Sequence, residues 1–157
     1  MDPKFSEAAT AAFTGHRFFD FSRKEEVKAR LTASILDAYE HGITRFMTGM
    51  AVGFDMLAAE VVLSVKGICS SITLMAVIPY SGQAERFSDY NRRRYDALRA
   101  QADETVVLSD QYYTRYFWSV TALWLSIPRC SLPAMMVGRR VVRSGLSGWL
   151  RVWHGGL

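Results

Sequence analysis

Apolar residues in the first 110 positions recur with two different periods, one typical of strands and the other typical of helices. Short, nearly continuous apolar runs predict four strands, at 11–14, 43–48, 72–78 and 105–108. Between them, apolar residues that recur every three or four positions predict three helices, at about 22–41, 55–66 and 84–102. Ser22 and Glu25 have the spacing of a capping box, which would start the first of these helices.

Strands and helices that alternate in this way predict an α/β fold. We expect a Rossmann-like parallel sheet with helices on both faces, because strands that read as continuous apolar runs are buried on both sides. Ligands of such sheets bind beyond the carboxyl ends of the strands. The residues that follow each strand are therefore the first place to look for a binding site.

The first strand ends in four residues that could hold an anion. These are Thr14, Gly15, His16 and Arg17. Glycine lets the backbone turn tightly and approach a ligand, and a guanidinium such as that of Arg17 binds phosphate through two hydrogen bonds. The plainer alternative is a polar turn with an exposed arginine.

The second strand runs into a helix through a turn bracketed by two glycines, Gly49 and Gly53, with Met50 between them. Such a turn leaves backbone N–H groups at the positive end of a helix dipole, which is a site for an anion. Asp55 and Glu60 follow on the helix as candidate ligand-binding acids. Their plainer roles are a helix N-cap for Asp55 and a solvated helix residue for Glu60.

Gln83 follows the third strand and offers its amide to a base or a ribose, although a glutamine in a loop more often faces water. No catalytic residue can be assigned, because the three histidines are scattered. We predict no metal site and no cofactor. Cys69 and Cys130 lack paired spacing and the N-terminus has no apolar signal region, so we expect a cytoplasmic protein without a membrane partner.

The net charge of +4 suggests nucleic acid until it is divided along the chain. Residues 1–110 hold all 15 acidic residues and 13 of the 19 basic ones, so they carry a net charge of −2. The remaining six basic residues are arginines within residues 111–157, which also hold all four tryptophans. Because the basic character belongs to residues 111–157, the net charge of residues 1–110 argues against nucleic acid as a partner.

Several of these segments together resemble the SLOG superfamily, the Rossmann-like domains related to the DNA-processing protein Smf and to the lonely-guy cytokinin-activating enzymes. Within it, they resemble the YpsA-like branch, over about residues 10–113. The motifs that carry the resemblance are Phe13-Thr-Gly-His-Arg17, Thr48-Gly-Met-Ala-Val-Gly-Phe-Asp55 with Glu60, Ala76-Val-Ile-Pro79 with Gln83, Tyr95, and Ala102-Asp103. The resemblance implies a bacterial or phage protein that holds a nucleotide-derived small molecule on the loops after the first two strands. The positions carried over are Thr14, Gly15, His16, Arg17, Gly49, Gly53, Asp55 and Glu60.

Superfamily relatives either bind such ligands as sensors or hydrolyse the N-glycosidic bond of a nucleoside monophosphate. We therefore expect binding or sensing of a nucleotide-derived ligand. N-glycosidic hydrolysis is the first alternative, and single-stranded DNA binding of the Smf kind is the second. The hydrolysing relatives carry Pro-Gly-Gly-x-Gly-Thr-x-x-Glu, and this chain has no such segment. Whether the protein is an enzyme stays open.

The tail does not match the family pattern, so we divide the chain into a domain at 1–113 and a tail at 114–157. We interpret the tail as the family's coding sequence read in the wrong frame. Met135-Met136-Val137, encoded ATG-ATG-GTN, reads Asp-Gly when shifted, and relatives have Tyr-Asp-Gly there. The alternative is a genuine basic tail that docks on a membrane or on nucleic acid. A wrong frame would leave the sheet incomplete at its C-terminal edge, which favours a homo-oligomer or aggregation. A genomic read without a one-base slip near codons 113–118 would contradict the interpretation.

Overall fold

The structure, a computed structural model, describes residues 10–13 and 21–112 together with the backbone of 136–137 and 152–153. Four strands alternate with three helices, as β1 (Thr10–Phe13), α1 (Lys24–Glu40), β2 (Arg45–Thr48), α2 (Phe54–Lys66), β3 (Thr73–Ile78), α3 (Asp89–Gln101) and β4 (Glu104–Val107). Two short strands, β5 (Met136–Val137) and β6 (Val152–Trp153), pair with each other in parallel. The predicted α/β fold with a Rossmann-like parallel sheet is confirmed.

The strands of the main sheet lie in sequence order, β1-β2-β3-β4, and every neighbouring pair is parallel. Phe13, the last residue of β1, lies beside Thr48, the last residue of β2. Thr48 in turn lies beside Ala76, and β3 continues to Ile78. The chain therefore leaves β1 and β2 at the same level of one sheet edge.

The three described helices all pack on one face of this sheet. Right-handed crossovers between strands in sequential order place each connecting helix on the same side. In agreement, one core cluster joins buried residues of α1, α2 and α3 to alternate strand residues such as Phe13, Phe46 and Leu74. The opposite face is buried too, and none of the described helices contributes to its cluster, which consists of Ala12, Met47, Met75 and Val77.

Helix α2 is the most deeply buried helix among those described, with nine of its thirteen residues buried. It lies between α1 and α3 and packs against both. Fully burying one large apolar side chain contributes about 1.5–3 kcal/mol, so α2 is firmly anchored and the backbone at its N-terminus has a fixed position. No helix in the described ranges is long and apolar enough to cross a bilayer.

The start of α1 differs from the sequence prediction. Ser22 belongs to a 3-10 turn, Phe21–Arg23, so α1 begins at Lys24 with Arg23 as its N-cap and no side-chain cap hydrogen bond. The residue that begins the helix as its N-cap is therefore Arg23 and not Ser22. Arg23 instead pairs with Glu26 at 2.9 Å, an exposed contact one turn along the helix.

The start of α3 also differs, because the helix begins at Asp89 and not near residue 84. Ser88 caps it, since its side chain accepts a hydrogen bond of 3.3 Å from the N–H of Asn91. The residues before Ser88 form a series of turns. This connection after β3 brings Gln83 back to the edge of the sheet.

Candidate functional site

The turn from β2 into α2 lies at the carboxyl edge of the sheet and has an unusual backbone. Gly53 has φ 98° and ψ −122°, a conformation that residues with a Cβ atom rarely adopt. Met50 has φ 58°, the one positive φ of a non-glycine residue in the described ranges, and its side chain is completely buried. A left-handed backbone costs an ordinary residue about 1–2 kcal/mol, so the surrounding packing must hold the turn in place.

Buried hydrogen bonds fix the shape of this turn. The Thr48 hydroxyl donates to the backbone oxygen of Asp55 at 2.9 Å, and the N–H of Met50 donates to the same hydroxyl at 3.4 Å. Gly49 lies against the Asp55 side chain, because a Cβ added at Gly49 would be 2.9 Å from Asp55 Oδ2. A larger residue at position 49 would displace that carboxyl group.

The N-terminus of α2 already holds an acidic side chain. Gly53 is the N-cap and has no side chain to cap the helix, so the alternative role of Asp55 as N-cap is not what the structure has. Asp55 lies in the first turn and is 7% exposed. An acidic side chain in this position complements the helix dipole. The turn thus places a carboxyl group beside the backbone amides that the sequence predicts to bind an anion.

The structure joins Gln83 to the turn. Its side chain is 7% exposed, and Nε2 donates a hydrogen bond of 2.9 Å to the backbone oxygen of Gly49. Its Oε1 is also buried and accepts no hydrogen bond from the residues that the structure describes. The sequence placed Gln83 in a loop that usually faces water, and the two residues are too far apart in the chain for any local pattern to reveal the contact.

Glu60 lies on α2, where Arg94 of α3 binds it. Arg94 donates to Glu60 Oε1 from Nε at 2.9 Å and from Nη2 at 2.6 Å. Both side chains are largely buried, with 16% of Arg94 and 28% of Glu60 exposed. Arg94 also donates to Asn91 and lies over the ring of Tyr90. Glu60 therefore links two helices, which neither of its predicted roles included.

Two side chains of the family motifs contribute to packing. Tyr95 is buried edge-on against Phe87, with ring centroids 5.7 Å apart, and burial raises the pKa of its hydroxyl. Asp103 accepts hydrogen bonds from Lys66 and from the N–H of Leu74. Partial burial raises the pKa of Asp103, but these hydrogen bonds outweigh that effect and hold the pKa below its usual value.

The remaining predicted site residues, Thr14, Gly15, His16 and Arg17, lie outside the described residues, as does the tail apart from β5 and β6. Phe13 immediately precedes them and pairs with Thr48, so both predicted loops follow strands that end at one level. In the described part of the chain, no three His, Cys, Asp or Glu side chains gather where they could hold a metal ion.

This chain is similar to one family profile, to a curated relative and to a solved structure. The sequence profile of the YspA SLOG family matches residues 11–119. A UPF0398 protein of Bacillus pumilus (strain SAFR-032) is 31% identical over 80 residues, which cover 51% of this chain and 41% of that protein. The matched part of the chain thus spans about two fifths of the relative's length. The solved structure of DNA processing protein A from Helicobacter pylori, described for its single-stranded DNA binding mode, is similar with a TM-score of 0.40 and 15% identity. That similarity covers 91% of this chain and 72% of the other.

The prediction that nucleic acid is an unlikely partner is contradicted by the solved structure just named, which belongs to a protein described for its single-stranded DNA binding mode. The prediction used the net charge of a long segment, which says nothing about how charges are distributed over its surface. Helix α3 alone carries four arginines against two aspartates. A segment with a slightly acidic net charge, such as residues 1–110, can therefore still present a basic surface.

Membership of a family requires a match over most of the domain, and here the match runs from the second residue of β1 through α3 and β4. It includes the turn between β2 and α2 and the loop that carries Gln83. The chain belongs to the YspA SLOG family.

Proposed function

We propose that this chain binds or senses a nucleotide or a nucleotide-derived ligand at the carboxyl edge of its parallel sheet. The observation that carries the proposal is the turn between β2 and α2. Its backbone is strained at Met50, and the buried amide of Gln83 closes one side of it. Strained backbone and buried polar groups at strand ends favour a ligand site, because packing alone would select relaxed backbone and apolar side chains.

The loop after β1 supplies the second half of the proposed site. Phe13 and Thr48 are paired, so the residues that follow them start next to each other. We assign the phosphate of the ligand to Gly15 and Arg17, since a guanidinium binds phosphate oxygens through two hydrogen bonds. His16 and Thr14 would contact the same end of the ligand. Family relatives of the wider superfamily that bind nucleotide derivatives support this assignment by analogy.

A binding screen with matched glycine variants tests the proposal. Isothermal titration of the 157-residue chain with AMP, GMP, CMP, UMP and ADP-ribose should show saturable binding of at least one compound. Gly53→Ala should abolish this binding by straining the turn. Gly42→Ala should retain it, because Gly42 also has a positive φ, 89°, but precedes β2 at the opposite end of the sheet. No binding by any compound, or equal loss in both variants, would contradict the proposal.

Hydrolysis of an N-glycosidic bond is the enzymatic alternative, with His16, Asp55 and Glu60 as candidate acid, base and ribose-binding groups. Such a role for Glu60 would compete with its two hydrogen bonds from Arg94. Incubation with the four nucleoside monophosphates, followed by chromatography for free base, separates the two functions. Ligand binding without release of base supports a binder, and release that grows with enzyme concentration supports a hydrolase.

Single-stranded DNA binding is a second candidate, favoured by the surface of α3. Arg92, Arg93 and Arg99 are exposed on this helix. Tyr90 precedes the first two in the sequence, is 64% exposed, and has the Arg94 guanidinium 5.5 Å from its ring centroid. Arginines interleaved with an exposed aromatic ring are typical of surfaces that bind single strands by charge and stacking. Fluorescence anisotropy with an oligo-dT strand should then give an affinity that falls with salt concentration. Replacing Arg92 and Arg93 by alanine should weaken it, while Gly53→Ala leaves it unchanged.

A further inference from the structure

The buried oxygen of Gln83 has a defined chemical role, because the orientation of the amide is fixed. Gly49 presents a backbone oxygen, which can only accept a hydrogen bond, so the nitrogen of the Gln83 amide must face it. The other branch of the amide, Oε1, must then be the acceptor that lies beside this contact. Among the described residues none donates to it. A buried acceptor without a donor destabilises a fold, and native proteins rarely retain one without a reason.

A second acceptor group lies against the same glycine. Asp55 Oδ2 would be 2.9 Å from a Cβ atom at Gly49, so the carboxyl group faces the α-carbon of the residue whose carbonyl Gln83 binds. Both side chains are 7% exposed. Gly49 is therefore flanked by an amide oxygen and by carboxyl oxygens. Because Gly49 has no Cβ atom, the Asp55 carboxyl group can lie this close to its backbone.

Acceptors of this kind select the part of a ligand that donates hydrogen bonds. Phosphate oxygens are acceptors, so they cannot satisfy Gln83 Oε1 and are repelled by a carboxylate. The two hydroxyls of a ribose are donors on adjacent carbon atoms, which suits two acceptors around one residue. We propose that Gln83 Oε1, beside Asp55, accepts a hydrogen bond from the ribose hydroxyls of the bound ligand. This inference depends on the proposed nucleotide-binding function and adds to it a preference for ribose over deoxyribose.

The inference also orients the ligand. The sugar lies at the turn between β2 and α2, on the side of Gly49 and Gln83, and the phosphate lies away from Asp55. A site that selects by a buried acceptor discriminates strongly against an analogue lacking the hydroxyl, because the acceptor is then left buried and unbonded. A preference of about tenfold is expected for one such hydrogen bond.

Isothermal titration of the 157-residue chain tests the preference with the ligand as the variable. The probes are AMP, 2′-deoxy-AMP, 3′-deoxy-AMP and GMP. Wild-type protein should bind AMP about tenfold more tightly than at least one of the deoxy analogues. Gln83→Leu should bind AMP and that analogue with equal, weakened affinity. Gln101→Leu replaces an exposed glutamine of α3 and should keep the wild-type preference.

The outcomes separate this inference from the function on which it depends. If the protein binds AMP and both deoxy analogues equally, the role of Gln83 is contradicted while nucleotide binding stands. If Gln83→Leu weakens the binding of GMP but not that of AMP, the amide contacts the base and not the sugar, and the inference is again overturned. If no nucleotide binds at all, the proposed function fails and the inference fails with it. The comparison of ligands on wild-type protein does not depend on the folding of any variant.

Discussion

The ion pair between Glu60 and Arg94 is expected to stabilise the packing of α2 against α3. Arg94 donates twice to one carboxylate oxygen, and both side chains are more than two-thirds buried. Hydrogen bonds to charged groups contribute about 1.5–3 kcal/mol each when they are well made, and partial exposure lowers that value. We therefore expect a coupling free energy of about 1–2 kcal/mol between the two side chains, above the ~0.2–1 kcal/mol typical of exposed pairs.

A double-mutant cycle in urea measures this coupling. The free energy of unfolding is determined for wild type, Glu60→Gln, Arg94→Met and the double variant, and the coupling is the departure from additivity. Methionine keeps most of the apolar stem of Arg94, so the loss reports the charged contact. The exposed pair of Glu26 and Arg30 on α1, with N···O 2.9 Å, supplies the matched control. Its coupling should be about 0.3–0.5 kcal/mol, as for other pairs four residues apart on a helix.

The comparison of the two cycles decides the role of Glu60. If its coupling to Arg94 is no larger than that of the control pair, the contact does not link the helices and the reasoning from burial is refuted. Glu60 would then be free to act on a ligand. A larger coupling, together with nucleotide binding retained in Glu60→Gln, would assign the residue to the fold.

Three further substitutions test the turn and its surroundings. Gly49→Ala should lower stability and abolish nucleotide binding, because its Cβ would lie 2.9 Å from a buried carboxyl oxygen; Gly82→Ala meets an exposed carboxyl oxygen at the same distance and should be tolerated. Met50→Gly should be about 1 kcal/mol more stable than Met50→Ala by urea unfolding, since glycine relieves the left-handed strain while both lose the buried side chain. Asp103→Asn should lower the free energy of unfolding by about 1 kcal/mol at neutral pH. Because the native pKa of Asp103 is lowered, its contribution is complete above about pH 4 and is lost as pH falls through that pKa, so stability curves of the two proteins should converge in acid.

The order and type of the main elements could be predicted from the sequence because each element carries its own period of apolar residues. The start of α3 could not, because the residues from 84 onward have a helical pattern while Ser88 is the residue that caps the helix. The start of α1 was misplaced for a similar reason, since a 3-10 turn that includes Ser22 precedes the helix and makes Arg23 its N-cap. Local patterns identify an element more reliably than they identify its first residue.

The contacts of the site could not be predicted because they join distant parts of the chain. Gln83 meets Gly49, and Arg94 meets Glu60, in each case across 34 positions. Sequence patterns placed Gly49, Gly53 and Asp55 at a strand end, and that placement follows from the strand-turn-helix pattern alone. The strand order could not be predicted from the sequence either, because alternating strands and helices are compatible with helices on one or both faces of the sheet. The observed sequential order places the described helices on one face.

Nuclear magnetic resonance of the ¹⁵N-labelled chain, titrated in turn with AMP, GMP, CMP, UMP and ADP-ribose, measures ligand contact at the turn directly. The amide signals of Gly49 and Gly53 should move with one saturable dissociation constant, while those of Gly42 and Gly67, at the other end of the strands and helices, should stay in place. Movement confined to the amides of α3, or no movement with any of the five compounds, would contradict a nucleotide site at the turn between β2 and α2.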